Sequence, residues 1–144
     1  MFTRKKVPPP PVTGIAQKMA NLADAFVTGS AAEGQYFTYD AEVAPRLDGL
    51  ISLFLEGDPP EDVKHSMVLS MGAFVGELIV RNGGGTWLDA QTDNGPGLQL
   101  ANGLVGYPMN KVAKRLNVGP EHSIAQFVHV ALDGELPPGA RRVT

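Results

Sequence analysis

Apolar residues first recur at helical spacing over Ile15, Met19, Leu22, Phe26 and Val27. That pattern predicts a helix from about Thr13, its N-cap, to Thr28, with Gly29 beyond its C-terminus. The aromatic and β-branched run Gln35-Tyr-Phe-Thr-Tyr39 predicts a short extended segment. Pro45 suits only a first helical turn. The following positions Leu47, Leu50, Ile51, Phe54 and Leu55 therefore predict a second helix from about Ala44, stopped by Gly57-Asp-Pro-Pro60. A third helix is expected to start at Asp58 or Pro60, place Glu61 and Asp62 at its positive end, and continue to about Asn82.

Beyond that helix the period changes. Thr86-Trp-Leu-Asp-Ala90 and Gly97-Leu-Gln-Leu-Ala101 alternate as strands do, with Asp93-Asn-Gly-Pro-Gly97 as the turn between them. Asn102-Gly103 marks a second turn, and Leu104-Val-Gly-Tyr107 predicts a short third strand. Pro108 then opens a helix carrying Val112, Ala113 and Leu116, which Asn117-Val-Gly119 stops. Pro120 is expected to open a last helix through about Leu132, with Ile124, Phe127, Val128 and Ala131 on one side. The fold class is α+β: N-terminal helices packed with a small antiparallel β-sheet of a hairpin or three strands, then one or two short C-terminal helices. Residues 13–136 make one domain, flanked by a basic, proline-rich arm at 1–12 and a tail at 137–144.

The third helix is the most informative stretch. At about 100° per residue, Met67, Val68, Met71, Val75, Leu78 and Ile79 cover one broad side, and little of the helix is left for water. Gly72 and Gly76 lie four apart and leave a shallow groove for close approach, at a cost of roughly 1 kcal/mol each against Ala. Ser66, Ser70, Glu77 and Arg81 form the remaining polar strip, beside Phe74. Glu77 and Arg81 are in the favourable i, i+4 order. They can be an exposed ion pair worth about 0.3 to 0.5 kcal/mol, a clamp on a carboxylate with Glu77 orienting Arg81, or a site with a catalytic Glu77. Gly83-Gly-Gly85 then leaves the helix, Gly83 being suited to the left-handed stop. A phosphate loop needs glycines leading into a helix instead. Trp87, the single tryptophan, reads as a core anchor or a ligand platform.

Composition narrows the chemistry. The chain has 144 residues, 43% hydrophobic and 19% charged, with a formal net charge of −3, which suits one globular domain and gives no basic footprint for nucleic acid. It has no cysteine, so disulfides and thiolate chemistry are absent and a cytoplasmic location is expected. The start, Met1-Phe-Thr-Arg-Lys-Lys, runs into Val7-Pro-Pro-Pro-Pro-Val12 rather than an apolar helical run, so no export signal is read. The longest apolar segment is interrupted by Gly72, Gly76, Glu77 and Arg81, and no transmembrane segment is expected. His65, His122 and His129 show no metal-ligand spacing, no G-x-S-x-G elbow is present, and no metal or cofactor is expected.

Two basic features stand out on this acidic chain. Lys111, Lys114 and Arg115 fall within one and a half turns of the Pro108 helix, as cations suited to the helix end or as a patch for an acidic protein, a phosphate or RNA. Arg4, Lys5 and Lys6 precede Pro8, Pro9, Pro10 and Pro11, which reads as a solvated tail or as an arm that docks on a partner protein.

The ordered motifs G-A-F-V-G-E-L-I-V-R-N-x-G-G-x-W at 72–87, Y-P-M-N-K-V-A-K-R-L at 107–116 and S-I-A-Q-F-V at 123–128, with R-L-D-G-L-I upstream, resemble those of uncharacterised bacterial proteins grouped as domains of unknown function. The resemblance spans roughly residues 36–130 and implies no particular activity. It implies that Glu77, Arg81, Trp87, Lys111, Lys114 and Arg115 occupy motif positions. The expected function is that of a non-catalytic protein-interaction module, an accessory, regulatory or immunity-type factor with homo-oligomers possible. The alternatives are a small enzyme or ligand binder using Glu77, Arg81, Asp89 or a histidine, and a binder of a phosphate-containing ligand through Lys111, Lys114 and Arg115.

Overall fold

The computed structural model describes residues 14–89 and 92–133. The arm at 1–12, the Thr13 cap, the end of the first predicted strand at Ala90 and the tail at 137–144 lie outside the described residues. The order is α1 (Gly14–Ala32), a 3-10 turn (Ala41–Val43), α2 (Ala44–Glu56), α3 (Glu61–Gly83), β1 (Gly85–Leu88), β2 (Gly97–Leu100), β3 (Val105–Gly106), α4 (Pro108–Asn117) and α5 (Ile124–Asp133). The strands form one antiparallel sheet in the order β1-β2-β3. This is the α+β arrangement expected, with helices before a small sheet and two short helices after it.

Helix α3 is the axis around which the chain folds. From Met71 to Ile79 every residue is buried, because α1 lies along one side, α4 and α5 cover others, and β1 crosses its C-terminal half. The glycine groove receives two different partners. A Cβ on Gly72 would lie 2.5 Å from Met109 Cγ and 2.7 Å from Met109 Cα, so α4 packs backbone-close at that point. A Cβ on Gly76 would run into the six-membered ring of Trp87, so the second glycine accommodates the indole of β1 and not a helix. Phe74, fully buried, is ringed by Phe26, Phe37 and Tyr39 at centroid separations of 5.0, 5.9 and 5.3 Å. Pairs at such spacing contribute roughly 0.5–1.5 kcal/mol each beyond their area burial.

Several predicted boundaries move for identifiable reasons. Helix α1 passes through Gly29, where added side-chain volume would meet open space, and stops at Gly34 (φ 83), with Gln35 N donating to Ser30 O at 2.9 Å. The Gln35–Tyr39 segment is irregular, with a bend at Tyr39, and pairs with no strand among the described residues. Phe37 turns into the aromatic cluster instead, and Arg46 Nη1 takes up the Tyr36 carbonyl at 2.8 Å. Helix α3 keeps Gly83, and Gly84 (φ 78) is the stop. The third strand shrinks to Val105–Gly106. The last helix starts at Ile124 and not at Pro120, because Ser123 Oγ caps it by accepting from Gln126 N at 3.1 Å.

The hairpin signals are realised. Trp87 faces Leu98 and Thr86 faces Gln99, with Trp87 and Leu98 buried and their neighbours Thr86 and Gln99 exposed. Gly95 (φ 80) and Gly103 (φ 86) take the positive dihedrals that their turns require.

Candidate functional site

Glu77 is neither an exposed ion-pair member nor the wall of an open pocket. Its side chain is 8% exposed, and both oxygens are engaged: Arg81 Nη2 donates to Oε1 at 3.1 Å, and Trp87 Nε1 donates to Oε2 at 3.1 Å. Burying a carboxylate is tolerable only with such charge-assisted partners. Arg81 then stacks its guanidinium 3.6 Å over the Tyr39 ring, and Tyr39 Oη donates to Asp24 on α1. Asn82 Nδ2 donates to the Tyr39 carbonyl at 3.1 Å and to Leu78 O at 2.7 Å. The series Trp87, Glu77, Arg81, Tyr39, Asp24 thus ties β1, α3, the 35–40 link and α1 together. Burial, and after it Asp24, pushes the Tyr39 phenol well above its usual range.

The basic cluster is divided by the fold. Arg115 is 4% exposed and turns inward, so it does not belong to a surface patch. Arg115 Nε donates to Asp48 Oδ1 at 3.2 Å, and its Nη2 donates to Ser52 Oγ at 2.8 Å and Asp48 O at 3.1 Å. Asp48 is the hub. It also accepts from Ile124 N at 2.9 Å, Ala125 N at 3.0 Å and Ser123 Oγ at 3.2 Å. One carboxylate on α2 therefore caps α5 from outside and neutralises a cation on α4. Lys111 and Lys114 stay half-buried on the flank of α4. Burial, then Lys114, lowers the Lys111 ammonium from its usual range, with Asp48 opposing, and its Nζ lies 6.0 Å from the Phe127 ring centre.

Asp48 carries most of this second network, and the reading of the sequence gave it no role. A wheel would have placed Arg115 about 60° from Val112 on the inward face. Ser123-Ile-Ala-Gln126 is likewise a capping-box sequence. No local pattern points to Asp48 itself, whose partners lie 67 to 77 residues away.

The described surface includes a cleft with largely apolar walls. It lies between the C-terminal halves of α1 and α2 and the first turns of α3, with a volume of about 470 Å³. Leu50, Leu53, Phe54, Val63 and Met67 supply the apolar lining, Leu53 being 57% and Val63 41% exposed. Glu33 stands in its wall, and Glu56, Asp58, Glu61 and Asp62 are exposed on the chain between the lining residues Phe54 and Val63. Lys64 offsets part of that charge, pairing with Glu61 at 3.4 Å. None of the six residues singled out from the sequence lines this cleft.

Among the described residues no three His, Cys, Asp or Glu side chains gather as a metal site. His129 Nδ1 instead meets Asp133 Oδ2 at 2.8 Å on the exposed side of α5. By length and composition α3 is apolar enough to cross a membrane, with a mean hydropathy of 1.4 over its best window, and half of that window is buried inside the fold. No family model, curated protein or solved structure matches the chain.

Proposed function

We propose that the protein is a protein-binding module of the bacterial cytoplasm, whose recognition surface is the acidic-rimmed apolar cleft between α1, α2 and α3. The observation that supports this most directly is the exposure of Leu53 on α2 and Val63 on α3 within one cleft, where burial by a partner would contribute roughly 25 cal/mol per Å². The carboxylates of Glu33, Glu56, Asp58 and Asp62 favour a partner segment that sets aliphatic or aromatic side chains beside lysine or arginine. A second copy of this face would bring like charges together. In this reading α3 is a core helix of a protein in water, and the Glu77 and Asp48 networks hold the walls of the cleft in place.

Selection of a displayed random-peptide library against the full chain tests the proposal. Enriched peptides should pair basic with apolar residues, and their binding should vanish in Leu53→Glu. That substitution at an exposed position should change stability by no more than about 0.5 kcal/mol. Failure to enrich any sequence, or enriched peptides that bind Leu53→Glu equally well, would overturn the assignment.

A further inference from the structure

The sheet ends at β3 on an unpaired edge. Opposed residues in an antiparallel pair alternate between those that exchange backbone hydrogen bonds and those that do not. Leu100 N donates to Leu104 O at 2.7 Å, and the register sets Leu98 opposite Gly106 and Gln99 opposite Val105. Leu98 and Gly106 are therefore a bonded pair, and Val105, between the two bonded positions, turns its N–H and C=O away from β2. Among the described residues neither group meets a partner. Leu104 and Val105 are also 42% and 38% exposed. The other edge differs. By the same alternation Trp87 turns its backbone outward from β1, but Trp87 is buried and β1 lies against α1 and α3.

Sheets usually blunt an open edge with charged side chains, above all lysine, or with proline in the strand. Here no charged side chain occurs from Asn94 to Asn110, and Pro96 and Pro108 stand outside β3. We propose that β3 pairs with β3 of a second copy of the chain, antiparallel about a two-fold axis at Val105, so that two three-stranded sheets join into one of six strands.

The edge is self-complementary in the way a two-fold requires. Each Val105 N–H donates to the Val105 carbonyl of the other copy, which uses both outward groups and leaves none over. Leu104 of each copy then stands opposite Gly106 of the other, on the same face. A Cβ on Gly106 would lie 3.1 Å from Phe127 Cζ. Phe127 therefore stands over that glycine, and the incoming Leu104 finds both the room of a missing side chain and a ring to pack on. On the opposite face Val105 meets Val105, a β-branched cross-strand pair. Gly103 (φ 86) turns the chain away at one end and Pro108 lacks an N–H at the other, which leaves Val105 as the centre of the pairing. None of these residues lines the cleft, so the pairing stands or falls independently of the cleft's role.

So short an edge is small against the roughly 1,600 Å² of a standard interface, and the dimer is weak, with a dissociation constant of about 1 µM to 1 mM. Sedimentation of the full chain across that range should show monomer passing to dimer. Val105→Pro removes the outward N–H without touching the ladder to β2. Because the bond occurs twice, the dissociation constant should rise by about tenfold or more. Leu104→Lys keeps the backbone and sets a cation on the edge; it should have the same effect, and it remains informative if the proline variant folds poorly. In the unaltered chain the Val105 amide should be protected from hydrogen exchange at high concentration and unprotected on dilution, while the Leu100 amide is protected at both. A chain that stays monomeric throughout, a dimer that neither substitution weakens, a Val105 amide protected in the monomer, or growth beyond the dimer would overturn the proposal. So would a dimer that Leu53→Glu abolishes, since the copies would then meet at the cleft.

Discussion

Asp48→Ala should destabilise the protein more than any other single change to a partly exposed residue. The substitution leaves Arg115, 4% exposed, without its carboxylate while Ser52 and the Asp48 carbonyl remain. Stranding a buried charge costs about 3–5 kcal/mol, but the Asp48 side chain is itself 21% exposed, so water reaches the gap and the lower part of that range applies. Loss of the carboxylate at Ile124 N and Ala125 N adds about 1 kcal/mol, as for a helix cap. The sum, about 4–5 kcal/mol, is a large share of the roughly 5–15 kcal/mol typical of a whole domain and corresponds to a fall in Tm of about 10–20 °C. Arg115→Met is the informative contrast. It leaves Asp48, 21% exposed, bonded to Ser123, Ile124 and Ala125, so that no charge is stranded and the cost should be about 1.5–3 kcal/mol. Adding it to Asp48→Ala should recover part of the loss. Urea unfolding followed by circular dichroism measures all three variants. If Asp48→Ala costs no more than Arg115→Met, the carboxylate is not the hub and the reasoning fails.

Gly76→Ala gains roughly 1 kcal/mol of helix propensity, yet drives a methyl into the Trp87 ring and strains its bond to Glu77. Overpacking typically costs about 1–3 kcal/mol, so the variant should be less stable in unfolding measurements, whereas the same change in a Trp87→Leu background should be neutral or stabilising; a stable single variant would contradict the packing. The folded state holds the Tyr39 phenol protonated above its ordinary value of 10.0. The unfolded phenol ionises first, so stability present below about pH 10 is lost as pH rises beyond it. Tyr39→Phe should therefore flatten the alkaline fall in Tm, and a parallel fall in both proteins would rule Tyr39 out as its source. Lys111→Met removes an ammonium that burial already disfavours, and thermal melts at neutral pH should show unchanged or higher stability. A loss above about 1 kcal/mol would mean that its attraction to Asp48 and Phe127 outweighs its desolvation.

Wherever neighbours along the chain decide the structure, the sequence was readable. The period of α3, the Gly72 and Gly76 groove, the turns at Gly95 and Gly103 and the first turn at Pro45 all depend on residues within a few positions. The Gln35–Tyr39 segment misled because β-propensity measures fit to a pleated, half-buried surface, and Phe37 found an aromatic pocket instead of a neighbouring strand. Glu77 and Arg81 were correctly paired, but the third member, Trp87, decides that the pair is internal. The cleft escaped notice because its walls come from three helices, and no one of them shows an anomalous pattern. Asp48 escaped because its importance exists only after α2, α4 and α5 have met.

The two glycines of α3 also prescribe how chains of this fold can diverge. Position 76 and position 87 share one volume, as do positions 72 and 109. A homologue that enlarges residue 76 must shrink the ring at 87, and one that replaces Trp87 loses the donor that keeps a carboxylate at 77 acceptable. Gly76, Glu77 and Trp87 should therefore be inherited or exchanged as a unit. Distant relatives are better sought by that three-position rule, with Gly72 and Met109 as a second linked pair, than by overall similarity, because no such shared volume ties the exposed surface residues to one another.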